Sequence, residues 1–270
     1  MSQFALSAIV EPALIEHHRL GMAEMGYRGL SEQWLLRRAG DLHWRLIARA
    51  MGQKDAVFTC AAGEPLYAAF CATSLSFSRP ELPQLGAMLT LGADLYRMGH
   101  GRLASLQRIA VGAQEIGRVV LISTFVGRLK SGSNRSIVRR APTVLAIPPE
   151  APFSVKRMAH WAGVVTRCAM NETFDWPDQE GIRRILPCPS VDFNAAGLLY
   201  FPSFSALAER ALFEAGETAH TTASRHVVYM GNVEPGEGIK VGFRRLASGK
   251  DIVLRGEDDR FLAFIRARQY

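Results

Sequence analysis

Through Trp34–Met51 the apolar residues Leu35, Ala39, Leu42, Leu46 and Ala50 recur at helical spacing, with Arg38, Asp41, Arg45 and Arg49 on the opposite stripe. This predicts an amphipathic helix, capped by Ser31 and stopped at Gly52. Five strand-like segments follow: Ala56–Ala61, Leu66–Phe77, Ala87–Met98, Leu103–Val111 and Val119–Val126, separated by turns rich in glycine and proline. In the third, Met88, Thr90, Gly92 and Asp94 alternate with Leu89, Leu91, Ala93 and Leu95, the period of a half-buried strand. A short strand is also expected before Gly29.

The order then recurs. Met158–Ala169 is a further helix candidate, and Ile182–Cys188 reads as a short strand. Over Leu198–Phe213 only Glu209 and Arg210 carry charge, so a helix there must be wrapped by other structure. It is too short to cross a bilayer. Four strands close the chain: His226–Met230, Ile239–Leu246, Ile252–Arg255 and Phe261–Ala267. Both halves thus read strand–helix–strands, alike in element order but with no strong sequence repeat. The fold class is α+β, each half an antiparallel sheet wrapped round one central helix. Pro142–Pro152 can continue neither a helix nor a central strand. The boundary goes there, giving one domain over 1–147 and another over 148–270, with ligand sites expected at the seam between them.

The hydrophobic fraction of 48% against 21% charged residues marks a globular chain. A net charge of +7 and a pI near 9.5 favour an acidic partner. Nucleic acid, anionic lipid, coenzyme A phosphates and an acidic carrier protein all qualify on charge alone. Aromatic residues are not interleaved with the basic ones as a single-strand groove needs, so nucleic acid ranks well below the others. Cys60, Cys71, Cys168 and Cys188 form no CxxC pair and read as buried reduced thiols. His17, His18, His100, His160, His220 and His226 show no metal-ligand spacing, and the glycine-rich turns lack dinucleotide and P-loop patterns. No metal and no tightly bound cofactor are expected. The start has no signal-peptide shape and no apolar run is long enough to span a membrane, which predicts a cytoplasmic protein.

The stretch of densest chemistry precedes the second apolar helix. Asp192-Phe-Asn194-Ala-Ala-Gly197-Leu-Leu-Tyr200-Phe-Pro-Ser-Phe204 resembles the central-helix motif of hot-dog-fold acyl-thioester proteins, especially the double hot-dog acyltransferase/decarboxylases of the leinamycin type. The resemblance is specific at Asp192–Phe204 and weaker over the first half. It implies a tandem, double hot-dog. In many hot-dog thioesterases an aspartate base or nucleophile stands three residues before this glycine, and here that position is Asn194. The resemblance therefore implies a site that polarises a thioester carbonyl through Asn194 and the Gly197 N–H rather than one that hydrolyses. The plainer reading of Asn194 is a helix cap.

Tyr67, in Gly63-Glu-Pro-Leu-Tyr67, occupies a turn-then-strand segment similar to the one holding the acylated tyrosine of that family. On that similarity it is the nucleophile; otherwise it is a half-buried strand tyrosine. His43 is a candidate general base or a packed helix residue. Asp192 is a candidate carboxylate at the same mouth or a turn residue, and Tyr200 a pocket wall or core residue. Asn134 and Arg135, in the polar loop Lys130–Ser136, are candidates for docking phosphates of coenzyme A or an acidic acyl carrier protein, or else form a solvated loop. The resemblance implies transfer of an acyl group, with or without decarboxylation, from an acyl-coenzyme A substrate to an acyl carrier protein. The other reading is a non-catalytic module that binds acyl thioesters or carriers. Whether the chain forms a homodimer is left open.

Overall fold

The computed structural model of the chain describes residues 13–99, 101–130, 132–142, 147–171, 181–217 and 221–270. His100, His220, the chain start and the middle of the proline-rich boundary lie outside the described residues.

The first half runs β1 (Leu14–Arg19), a two-residue pair β2 (Met25–Gly26) and β3 (Gly29–Leu30), helix α1 (Glu32–Ala50), β4 (Phe58–Thr59), β5 (Pro65–Phe77), β6 (Met88–Met98), β7 (Arg102–Val111), β8 (Gln114–Arg128) and β9 (Ile137–Arg139). Helix α2 (Phe153–Met170) follows. The second half runs β10 (Arg183–Ile185), the single turn α3 (Pro189–Asp192), α4 (Phe201–Glu214), β11 (Thr222–Tyr229), β12 (Ile239–Leu246), β13 (Gly249–Gly256) and β14 (Phe261–Gln269).

One antiparallel sheet holds both halves, in the order β1-β6-β7-β8-β5-β11-β14-β13-β12-β10. Counted outward from the β5–β11 pair, the halves have the same connectivity. Strands β5, β8, β7, β6 and β1 of one correspond to β11, β14, β13, β12 and β10 of the other. The chain is therefore built about a pseudo-twofold at the point where Ser74 faces His226.

Alternation along the strands decides which helix lies on which face. Leu121 packs under α1 with Leu42 and Ile47, whereas its neighbour Ile122 packs under α2 with Val155. Val227 and Ile265 pack under α4, and Val228 and Phe264 turn to α2. So α1 and α4 share one face, while α2 covers the seam on the other. Strands buried on both sides read as apolar runs rather than clean alternation, which is why β8 carries Val119–Ile122 without a polar break.

Ser31 caps α1 as expected, its Oγ accepting from the Trp34 N–H at 3.3 Å. The second central helix starts later than expected, at Phe201. Pro202 lies in its first turn, where proline's missing donor costs nothing. The strand expected at Ala56–Ala61 is only Phe58–Thr59, and β1, paired along its whole length with β6, has no clear signature in the sequence.

Candidate functional site

Strands β5 and β11 pair only from Ala72 to Ser76 against Val228 to Ser224. Toward the start of β5 they part, and a β-bulge at Cys71 marks the fork. Bulges re-aim a strand where pairing ends. The opening is a cavity of about 880 Å³ that takes Tyr67, Phe70 and Trp44 from the first half and Asn194, Tyr200 and Phe201 from the second. Leu66 and Ala68 belong to the core under α1, so Tyr67 and Ala69 point through to the other face. The cavity therefore passes through the sheet. Its inner end is aromatic: the Phe70 and Phe201 ring centroids are 4.4 Å apart, Tyr200 stacks on Trp44, and the Trp44 indole N–H donates to the Ala68 carbonyl at 3.0 Å. Gly40 lets the two central helices approach, since a Cβ there would lie 2.8 Å from Phe201 Cε1.

The outer end carries arginines. Arg135 is bound to Glu237 at 2.9 Å and to Asp258 at 3.4 Å, and Arg260 to the same two carboxylates. Arg139 also lines the cavity and has no carboxylate partner among the described residues. Burial pushes the Cys71 thiol up, with Arg139 and Arg102 pulling the other way.

The sequence candidates divide. Tyr67, Asn194, Tyr200, Asn134 and Arg135 all line this cavity. His43 does not. It is fully buried, with Nδ1 and Nε2 each 2.8 Å from a serine hydroxyl, Ser105 and Ser123, and burial lowers its pKa to about 3. It is packed in the core under α1 and does not reach the cavity, so the reading as a general base has no support from its position. Asp192 is buried and bent back on its own turn, accepting from the Cys188 N–H at 2.8 Å. The Gly197 N–H, expected to be free for a thioester oxygen, donates to the Asn194 carbonyl at 2.8 Å. The glycine is needed for its φ of +70° in this turn. Asn194 Oδ1 accepts from the Ala196 and Leu198 N–H groups, so Asn194 organises a turn ahead of the helix rather than capping it. Its Nδ2 has no partner among the described residues. Tyr200 precedes the first turn of α4; burial raises its phenol and Arg37 lies 5.9 Å from the ring.

Asn134 turns out to be a clamp. Its Nδ2 donates to the Gly197 carbonyl at 2.7 Å and the Val233 carbonyl at 2.9 Å, and its Oδ1 accepts from Arg128 at 2.7 Å. Sequence reasoning misses Arg128, which is one charge at the end of an apolar strand. The four cysteines are free thiols, but none is fully buried as expected: Cys60, Cys71 and Cys168 are half-buried and Cys188 is exposed.

No protein-family model and no curated protein sequence matches the chain. Solved structures do. The 12:0-ACP thioesterase from Umbellularia californica superposes with a TM-score of 0.65 at 9% identity, over 94% of this chain and 96% of that one. An acyl-ACP thioesterase from Bacteroides thetaiotaomicron gives 0.62 at 8% identity, over 94% and 96%. The fold is a double hot-dog. At such identities the likeness establishes architecture alone.

A double hot-dog has two seam positions, and here they differ. At the second, Gly26, Arg28–Gln33, Thr221 and Thr222 border a smaller cavity of about 390 Å³. Glu32 and Phe201 are the first residues of their helices, and Gly40 and Glu209 are each the ninth. Where Phe201 touches Gly40 at the first seam, Glu32 meets Glu209 at the second through the buried Arg225, whose Nε lies 2.9 Å from Glu32 Oε1. Burial works against the charge of Arg225, but the two carboxylates outweigh it and hold it protonated. Among the described residues no helix is long and apolar enough to cross a membrane.

Proposed function

We propose that the chain transfers an acyl group from a coenzyme A thioester to an acyl carrier protein, with Tyr67 as acyl acceptor and Asn194 Nδ2 as donor to the carbonyl oxygen. The observation that carries this is the fork in the sheet, which brings Tyr67 and Asn194, one from each half, onto a single cavity. In the first step Tyr67 Oη bonds to the thioester carbonyl carbon, the C–S bond breaks, and the phenol proton leaves with the thiol. In the second the carrier's thiol attacks the tyrosyl ester and Tyr67 regains its proton. With a malonyl-type substrate, CO₂ departs, the enolate oxygen rests on Asn194 Nδ2, and the α-carbon takes a proton. The motif at Asp192–Phe204 supports the leinamycin-type assignment. Two proteins of like fold are named as acting on acyl-ACP, which supports an acyl–carrier thioester as reactant or product. Hydrolysis would need a base to activate water. Among the described lining residues there is no histidine or glutamate, and the carboxylate of Asp258 is held by two arginines.

That same lack of a base beside Tyr67 favours a second reading, a module that binds acyl thioesters or carriers without chemistry. Intact-mass spectrometry after mixing with acyl- and malonyl-type coenzyme A thioesters separates the two. An acyl adduct that disappears in Tyr67→Phe is the expected result. Thioester consumed without an adduct removes Tyr67 from the mechanism. No adduct and no consumption leaves the binding module.

A further inference from the structure

We infer that Arg128, at the end of β8, is the positioning residue that sets Tyr67 and the Asn194 turn against each other; this rests on the transferase reading above. Tyr67 and Asn194 belong to different halves, and their relative placement needs something that touches both. Arg128 does. Its Cζ lies 5.5 Å from the centre of the Tyr67 ring. Its Nη2 donates to the Ala196 carbonyl at 2.5 Å, inside the turn whose Ala196 and Leu198 N–H groups Asn194 Oδ1 accepts. The same nitrogen donates to Asn134 Oδ1, and Asn134 in turn holds the next carbonyl, Gly197. The guanidinium does not itself line the cavity. It stands behind the wall, so it acts through Tyr67 and the turn rather than on a substrate.

The geometry suits arginine and not lysine. A planar guanidinium offers a face to an aromatic ring and in-plane N–H groups to carbonyl oxygens at once. An ammonium has three tetrahedral donors but no planar face, so it can meet the carbonyls without holding the ring in the same orientation. The buried Nε has no hydrogen-bond partner among the described residues, so the side chain forgoes one bond while it keeps these contacts. Misplacing reacting groups by about 1 Å costs on the order of 100-fold in rate. Loss of Arg128 should therefore fall on kcat while KM, set by the cavity walls, moves less than about threefold.

The test uses Arg128→Gly and Arg128→Lys in the full chain. Rates of Tyr67 adduct formation are read beside thermal melts and amide hydrogen exchange at Ala196 and Leu198. Expected are a kcat loss near 100-fold in both variants, partial recovery of the glycine variant by added guanidinium but not by ammonium, and faster exchange confined to the turn. Three results would overturn the inference: kcat within about threefold of wild type in Arg128→Gly, full activity in Arg128→Lys, or unchanged exchange at the turn. If Arg128→Gly does not fold, Arg128→Lys and its exchange pattern decide. If the wild-type chain itself consumes no thioester, the transferase reading fails, while the exchange measurement still decides whether Arg128 fixes the turn.

Discussion

Gly40→Ala sets two effects of similar size against each other at the wall of the cavity. An interior helical glycine is about 1 kcal/mol less favourable than alanine, so helix propensity alone predicts a stabler protein. The new methyl, however, would sit 2.8 Å from Phe201 Cε1 and 3.0 Å from Cζ. Ordinary carbon contacts begin near 3.5 Å, so the ring must withdraw by about 0.7 Å. It has little room, with Phe70 at 4.4 Å and Tyr200 at 5.2 Å between ring centres. Overpacking of this kind costs about 1–3 kcal/mol. The clash should win by about 1 kcal/mol, lowering Tm by roughly 2 °C in a chain of this size. The decisive assay is a double-mutant cycle by urea denaturation. In a Phe201→Leu background the methyl has no ring to meet, and Gly40→Ala should become stabilising by about 1 kcal/mol. An effect of the same sign and size in both backgrounds would refute the reasoning.

Two further predictions concern buried charge. Arg225→Leu leaves the buried Glu32 carboxylate without its partner and should cost about 3–5 kcal/mol, whereas replacing Arg225, Glu32 and Glu209 together by apolar residues should recover most of it; a loss below about 1 kcal/mol in the single variant, read by denaturant titration, counts against the triad. His43 has a folded pKa near 3 against 6.5 unfolded, so below pH 6.5 the unfolded chain binds the extra proton. Its stabilisation is whole above pH 6.5 and is lost as the pH falls toward 3, by about 1.4 kcal/mol per pH unit. The stability gap between wild type and His43→Gln should thus narrow by roughly 2 kcal/mol from pH 6.5 to pH 5, and a constant gap would show that His43 does not titrate this way.

Elements with a strong hydrophobic period are legible in the sequence itself. Helix α1 and strands β5 to β8 and β11 to β14 follow from the spacing of leucine, isoleucine and valine, and their order implies the tandem architecture. The burial of His43 is legible too, because Leu36, Ala39, His43 and Ile47 step along α1 at intervals of three and four, the buried stripe itself. Asn194 and Gly197 stand out as residues, but the hydrogen bonds of their turn do not, since Asn-x-x-Gly suits a cap and a free-standing turn alike. Arg128, the Cys71 bulge and the fork leave no mark in the sequence at all. Each depends on where two distant strands stop pairing, and no local pattern records that.

The seams carry a further consequence. A homodimer of single hot-dog chains must accept every substitution at both of its equivalent positions. Here the first and ninth helical residues are Phe201 and Gly40 at one seam, Glu32 and Glu209 at the other. One seam is left open as a large chamber, while at the other Arg225 rivets the two helices together beside a cavity less than half that size. The chamber can then be widened, narrowed or re-lined by changing residues that the rivet never touches, so adaptation of the ligand need not weaken the cohesion of the two halves.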